Sequence, residues 1–272
     1  MFASFLITLR EGLEAFLLVG IALSYLAKLN ARHYNKYIYL GVAVGLVLSL
    51  AVAFVFQVVI DQFSNALYQN YLMAGILLFA TVVLTYMAIW MQKQAKSQVA
   101  QVQQDITEMV STGNLMGLVF LSMLAILREG FETILFFSAL MYSSFGELST
   151  QDALIGAVLG LVLAYVMVWA MMKSAKKVPL AQFFKWTSLL IIIIAAGLLS
   201  SAINMLQAAN LVPIVYAQVF DISHILDDRG VFGTFLRALF GYNSSPGLVQ
   251  LMVWLGYMLI FTLFWKKGYK TA

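Results

Sequence analysis

Seven stretches of the chain are apolar over lengths that suit a membrane span, at about 2–27, 38–60, 70–91, 115–142, 153–172, 184–206 and 248–265. A helix rises about 1.5 Å per residue, so crossing a hydrocarbon core of about 30 Å takes roughly 20 residues. Each stretch is therefore a predicted transmembrane helix. Between the third and fourth, Ala95, Val99, Val102, Ile106 and Met109 recur at spacings of four and three. That period predicts an amphipathic helix, read as a spacer packing on the bundle and capped by Gly113. The segment 207–247 is the longest connection and too polar to span. It holds Asp221, His224, Asp227 and Asp228, then Gly230, Gly233, Gly241 and the run Ser244-Ser245-Pro246-Gly247.

Composition agrees with the pattern. Of 272 residues, 62% are apolar and 10% charged, against roughly 45–50% and 25% in soluble domains. The chain is predicted to be an all-α integral membrane protein forming one transmembrane domain, 1–272. It has no cysteine, which removes disulfides, thiolate metal sites and cysteine nucleophiles together. No serine–histidine pair or aspartate pair lies within the spans, so intramembrane proteolysis is not expected. The apolar N-terminus has no basic leading region or small-residue cleavage site and reads as a retained span rather than a signal peptide. The methionines are scattered and read as packing residues. Trp90, Trp169 and Trp186 read as an interfacial aromatic belt, and Gln57, Asp61 and Gln62 as a solvated helix end.

The net charge of +4 is chiefly a topology signal. Lys28, Arg32 and Lys36 follow the first span, Lys93 and Lys96 the third, Lys173, Lys176, Lys177 and Lys185 the fifth, and Lys266, Lys267 and Lys270 the seventh. Only Arg229 and Arg237 fall in the alternate loops, beside Asp61, Glu147, Asp152, Asp221, Asp227 and Asp228. Positive loops stay in the cytoplasm, so the expected orientation is N-terminus outside and C-terminus inside. No basic stripe suggests nucleic acid as a partner.

Against this background two clusters of charge stand out. Leu9-Arg10-Glu11-Gly12-Leu13-Glu14 lies within span one and Leu127-Arg128-Glu129-Gly130-Phe131-Glu132 within span four. A charge at the centre of a spanning helix costs about 2.5–3.5 kcal/mol on insertion scales, so such residues mark function by default. At about 100° per residue, Arg10, Glu11 and Glu14 fall within an arc of about 100°, and all three can face one cavity. Spans one and four run in opposite directions with their motifs at similar depth. The chain therefore reads as two inverted three-helix repeats with a seventh helix added: repeat one at about 1–92, a cytoplasmic helical linker at 93–113, repeat two at 114–206, an outer loop at 207–247 and the last span at 248–265. Such repeats place a substrate site at the midplane.

Four carboxylates facing two guanidinium groups carry a formal excess of two negative charges. A hard cation would balance it, which makes Glu11, Glu14, Glu129 and Glu132 candidate metal ligands and Arg10 and Arg128 their charge partners. Two other readings stay open. The motifs could be ionic latches in a structural or assembly subunit, or the glutamates could relay protons in a transporter of another divalent cation. Asp221, His224, Asp227 and Asp228 are candidates for metal capture at the outer mouth.

The doubled Arg-Glu-Gly-x-Glu motif resembles the oxidase-dependent iron permeases of bacteria and fungi. The likeness extends over Phe5-Leu6-Ile7-Thr8-Leu9 and Ala15 around the first motif, Phe183-Phe184-Lys185-Trp186-Thr187-Ser188-Leu189, Phe232-Gly233-Thr234 and Phe240-Gly241-Tyr242. It implies inward iron transport across the inner (cytoplasmic) membrane by a multi-pass protein that is not an enzyme. It also implies that iron arrives as Fe3+ from a separate extracytoplasmic oxidase or iron-delivery protein, that the two motifs carry permeation, and that iron is cargo with no tightly bound cofactor.

Overall fold

The computed structural model describes residues 2–61, 66–94, 98–143, 150–173, 180–227 and 230–271. Among them the regular structure is helical and no strand occurs. The long helices are α1 (Phe2–Lys28), α2 (Asn35–Asp61), α3 (Ala66–Gln94), α5 (Leu115–Ser143), α6 (Thr150–Lys173), α7 (Leu180–Ala208) and α9 (Leu248–Thr271). Each contains one predicted apolar run and extends a few residues past it. The amphipathic segment forms α4 (Gln98–Ser111), followed by Gly113 in the left-handed region at φ 68°, where glycine avoids the Cβ penalty.

Five of these helices, α2, α3, α6, α7 and α9, are long and apolar enough to cross a membrane. The other two long helices, α1 and α5, are of similar length but carry the two charged motifs. The segment 207–247 departs from its reading as a plain loop. It contains α8 (Val231–Phe240), bounded by Gly230 and by Gly241 at φ 64°. Ten residues between glycines in a polar stretch are too short to register as a span, yet α8 packs on α7, where Gly241 and Gly197 meet backbone to backbone. The flanking chain is tied by main-chain bonds, Val219 N donating to Pro246 O at 3.0 Å and Leu248 N to Tyr216 O at 3.0 Å.

The helices pack crosswise. The most extensive pairings are α1 with α6, α2 with α5 and α3 with α7. Small residues set the first two, as close helix approach in lipid requires. Gly160 of α6 sits against the Phe5 carbonyl and the Thr8 hydroxyl of α1, so closely that a Cβ there would overlap both. Thr8 Oγ1 also donates to Ala157 O at 3.0 Å. On the other side, a Cβ on Gly45 of α2 would lie 2.8 Å from the Met123 carbonyl and 2.9 Å from Ile126 Cβ of α5. The registers match: Phe5 to Met123 and Thr8 to Ile126 span the same interval as Arg10 to Arg128. Gly41 precedes Gly45 by four residues, as Gly156 precedes Gly160.

The main core lies between α3, α5, α7 and α9 around Leu77, Ala80, Leu84, Phe136, Ile192 and Ala195. A smaller cluster of Leu26, Ile38, Ile106 and Leu118 docks α4 against the Lys28 end of α1. Outward faces of α2 and α6 carry exposed aliphatic and aromatic side chains such as Leu50, Phe54, Leu154 and Val158, as lipid-facing surface does.

Candidate functional site

The two charged motifs meet where α1 and α5 touch. Gly12 allows the approach of α6, since a Cβ there would sit 3.1 Å from Ala164 Cβ and from Leu161 Cδ1. Gly130 leaves room for Ser49 of α2, whose hydroxyl would overlap any side chain at that position. The motif helices are thus clamped from behind by α6 and α2, and their charged faces turn toward one another.

Motif one is nearly sealed. Arg10 pairs with Glu11 through Nη1 and with Glu14 Oε1 at 2.9 Å through Nη2. The side chains of Arg10 and Glu11 are 4% and 3% exposed. In motif two, Arg128 Nη2 lies 3.3 Å from Glu129 Oε1 and its Nε 3.3 Å from Glu132 Oε1. The same Nη2 reaches across the helix interface to Glu14 Oε2 at 3.7 Å. Arg128 is 39% exposed and stacks over Trp90 of α3, 5.0 Å from guanidinium carbon to ring centre. This contact gives Trp90 a role beside the site in addition to its reading as a belt residue.

Glu11, Glu14 and Glu129 each present a carboxylate oxygen, and these oxygens lie within 4.8 Å of one another. Glu132 stands apart from this trio, on the Nε side of Arg128. Glu11 Oε2, Glu129 Oε2 and Glu132 Oε2 are buried and accept no hydrogen bond. Carboxylates removed from water repel one another and need compensating positive charge. Two arginines shared among four glutamates do not supply enough. Three convergent carboxylate oxygens are donors of the kind a hard cation takes.

Cavities flank the site on both sides. One is lined by apolar side chains of α1, α3, α5 and α7, with Arg10, Glu11 and Thr187 as its polar members. The other is larger, with a volume of ≈ 410 Å³, is open to the outside, and runs from Arg128 and Glu129 to α4.

The other candidate residues lie far from this cluster in sequence and in the segment before α8. Asp221, His224 and Asp227 are exposed and form no such trio among the described residues, while Asp228 lies outside them. The Ser223 hydroxyl and amide, the latter donating at 2.9 Å, hold the Asp221 carboxyl below its usual range, with His224 adding a smaller effect. Two contributors were missed from sequence. Trp90 gave no signal beyond its residue type, and Asp105 of α4, which lines the second cavity, was hidden in a helix read as a spacer.

Residues 1–268 match the family described as the iron permease FTR1 family. The chain is 35% identical over 262 residues to the ferrous iron permease EfeU of Yersinia pestis, covering 95% of this chain and 91% of that one. It is 32% identical over 262 residues to the ferrous iron permease EfeU of Escherichia coli O6:H1 (strain CFT073), covering 95% and 93%. No solved structure matches the chain. These relatives are permeases and not enzymes. With so much of its length shared, and a doubled charged motif at the junction of α1 and α5, the chain belongs to the iron permease FTR1 family.

Proposed function

We propose that the protein carries iron into the cytoplasm through a site shared between its two motifs, with Glu11, Glu14, Glu129 and Glu132 as ligands and Arg10 and Arg128 as their charge partners. The observation that carries this reading is the convergence of Glu11 and Glu14 of α1 with Glu129 of α5. Were the motifs only separate ionic latches, neither arginine would need the other helix. Each arginine does pair with the glutamates of its own motif, but Arg128 also reaches Glu14 on the other helix, and buried carboxylate oxygens are left without donors. Glu132, outside the trio, serves as an outlying ligand or as the counter-charge that steers Arg128.

In this reading α1, α2, α3, α5, α6, α7 and α9 cross the inner membrane, with the N-terminus outside and the C-terminus inside. The helices α1–α3 and α5–α7 form two inverted repeats, supported by the matched registers of the α1·α6 and α2·α5 contacts. Iron arrives as Fe3+ from a separate oxidase or delivery protein, a choice that rests on three hard carboxylate donors. The relatives are named for ferrous iron, which supports Fe2+ as the second reading. Asp221, His224, Asp227 and Asp228 gather cations at the outer mouth.

Purified protein in liposomes, given labelled iron outside with and without an oxidant, tests the whole reading. We expect inward flux that rises when the oxidant is present. Flux that is highest under reducing conditions selects Fe2+, and absence of iron flux in both conditions overturns the permease reading.

A further inference from the structure

The larger cavity begins at the site and ends at α4. From the site it follows Leu18 and Ala22, one and two turns beyond Glu14 on α1. On α5 it follows Ala125 and Leu121, one and two turns before Glu129. Two turns of helix are about 11 Å. At that depth α4 crosses beneath the cavity, presenting Gln101, Val102 and Asp105 to it. The helix is fixed there, because Ile106 is fully buried and Tyr25 Oη of α1 meets Thr107 Oγ1 at 2.8 Å.

Charge is distributed unevenly along this space. Glu129 stands at its upper end with its side chain 4% exposed and Oε2 accepting no hydrogen bond. Asp105 is the other acid among the lining residues, and Leu18, Ala22, Leu121 and Ala125 make the walls between them largely apolar, with Ser122 as a lone hydroxyl. At the neck stands Arg128, the most exposed of the six motif side chains, resting on Trp90. A cation leaving the trio must pass this guanidinium and recover oxygen ligands beyond the apolar stretch. The space admits water, and Asp105 supplies a carboxylate on its far side.

We propose that this cavity is the cytoplasmic exit vestibule of the permeation path, with Asp105 on α4 as the acceptor site that takes the cation as it leaves Glu129. The inference rests on the permease reading above and extends it to residues that lie outside both motifs. It makes α4 the floor of the pathway instead of a spacer between repeats.

Two measurements test it. The chain has no cysteine, so Ala125→Cys reports access directly. A membrane-impermeant cationic thiol reagent should modify it in inside-out vesicles, where the α4 face is outward, and not in right-side-out ones, and iron should slow the reaction. Leu121→Cys, one turn further along the α5 wall, reads the same space if the first variant inserts poorly. Protection of both thiols in inside-out vesicles, or reaction from the opposite face, overturns the vestibule.

The second measurement is iron uptake by Asp105→Asn in liposomes, normalised to inserted protein, together with equilibrium binding of iron. The initial rate should fall about tenfold, the lower end of what a charge lining a channel contributes to ion encounter. Iron affinity at the Glu11, Glu14 and Glu129 trio should stay at the wild-type level, because Asp105 is not one of its members, and Asp105→Glu should restore most of the rate. An unchanged rate in Asp105→Asn, with wild-type protein transporting normally, overturns the acceptor role alone. Failure of the wild-type protein to transport iron overturns the permease reading instead, while thiol access to the vestibule is still read.

Discussion

At the scale of single residues, the trio and Glu132 separate into two tests. Converting Glu11, Glu14 or Glu129 to Gln keeps the volume and removes one charged ligand. A charge-assisted interaction contributes about 1.5–3 kcal/mol, which is about 10- to 100-fold in an equilibrium. Iron uptake per inserted protein should therefore drop by that order for each of the three variants. Glu132→Gln should lose less, because its carboxylate lies outside the trio and against Arg128 Nε. Near-normal normalised uptake in Glu11→Gln and Glu129→Gln would sink the shared site. Trp90→Leu tests the stacking contact. A cation–π pair that is partly desolvated is worth about 1–2 kcal/mol, and without it Arg128 keeps its carboxylate partners but loses the ring it stacks on. The expected outcome is a several-fold lower transport rate at an unchanged protein level.

At the scale of helices, the matched glycines make an unusually direct demand. Gly45→Val and Gly160→Val insert side chains into equivalent helix crossings, α2·α5 and α1·α6. Overpacking costs about 1–3 kcal/mol where the neighbours cannot give way, and here the neighbours include backbone carbonyls. Both variants should reduce the amount of folded protein in membranes, measured by detergent extraction and thermal unfolding, and by similar amounts. A loss at one position only would count against equivalent repeats. The sequence carries much of this level openly. Long apolar runs identify the long helices because a spanning helix is buried on all sides by lipid or protein, so its pattern needs no tertiary information. The helix α8 escapes the same reading, since ten residues between Gly230 and Gly241 are held by contact with α7 rather than by their own period. The motifs predict that Arg10, Glu11 and Glu14 share a helix face, because that follows from turn angle alone. That Arg128 rests on Trp90, that Glu132 stands aside, and that α1 pairs with α6 depend on helices distant in the chain. No local pattern carries them.

For the whole molecule, orientation is the first quantity to measure. Cysteine introduced at Ser245 should label from outside the cell and at Lys267 from inside. Outside labelling at Lys267 would invert the proposed direction of transport together with the assignment of the vestibule. The residues before α8 belong to this scale as well, because their proposed role is on the approach of ions and not on the site. Replacing Asp221, His224, Asp227 and Asp228 together should raise the iron concentration for half-maximal uptake and leave the maximal rate near normal. An unchanged concentration dependence would return this loop to an ordinary solvated surface.

The crosswise pairing of α1 with α6 also has a consequence for how the chain is made. Translation delivers α1 first, at about 5–20 residues per second, and α6 begins only at Thr150. For on the order of ten seconds a nascent chain holds Arg10, Glu11 and Glu14 in a helix whose principal partner does not yet exist. For most of that interval, until α5 begins at Leu115, its charged face has neither α6 behind it nor α5 opposite. A ribosome stalled between α4 and α5 should therefore yield a fragment that membrane quality-control proteases remove quickly. Co-expressing the remainder of the chain as a second polypeptide should protect it, since each half supplies the packing that the other lacks.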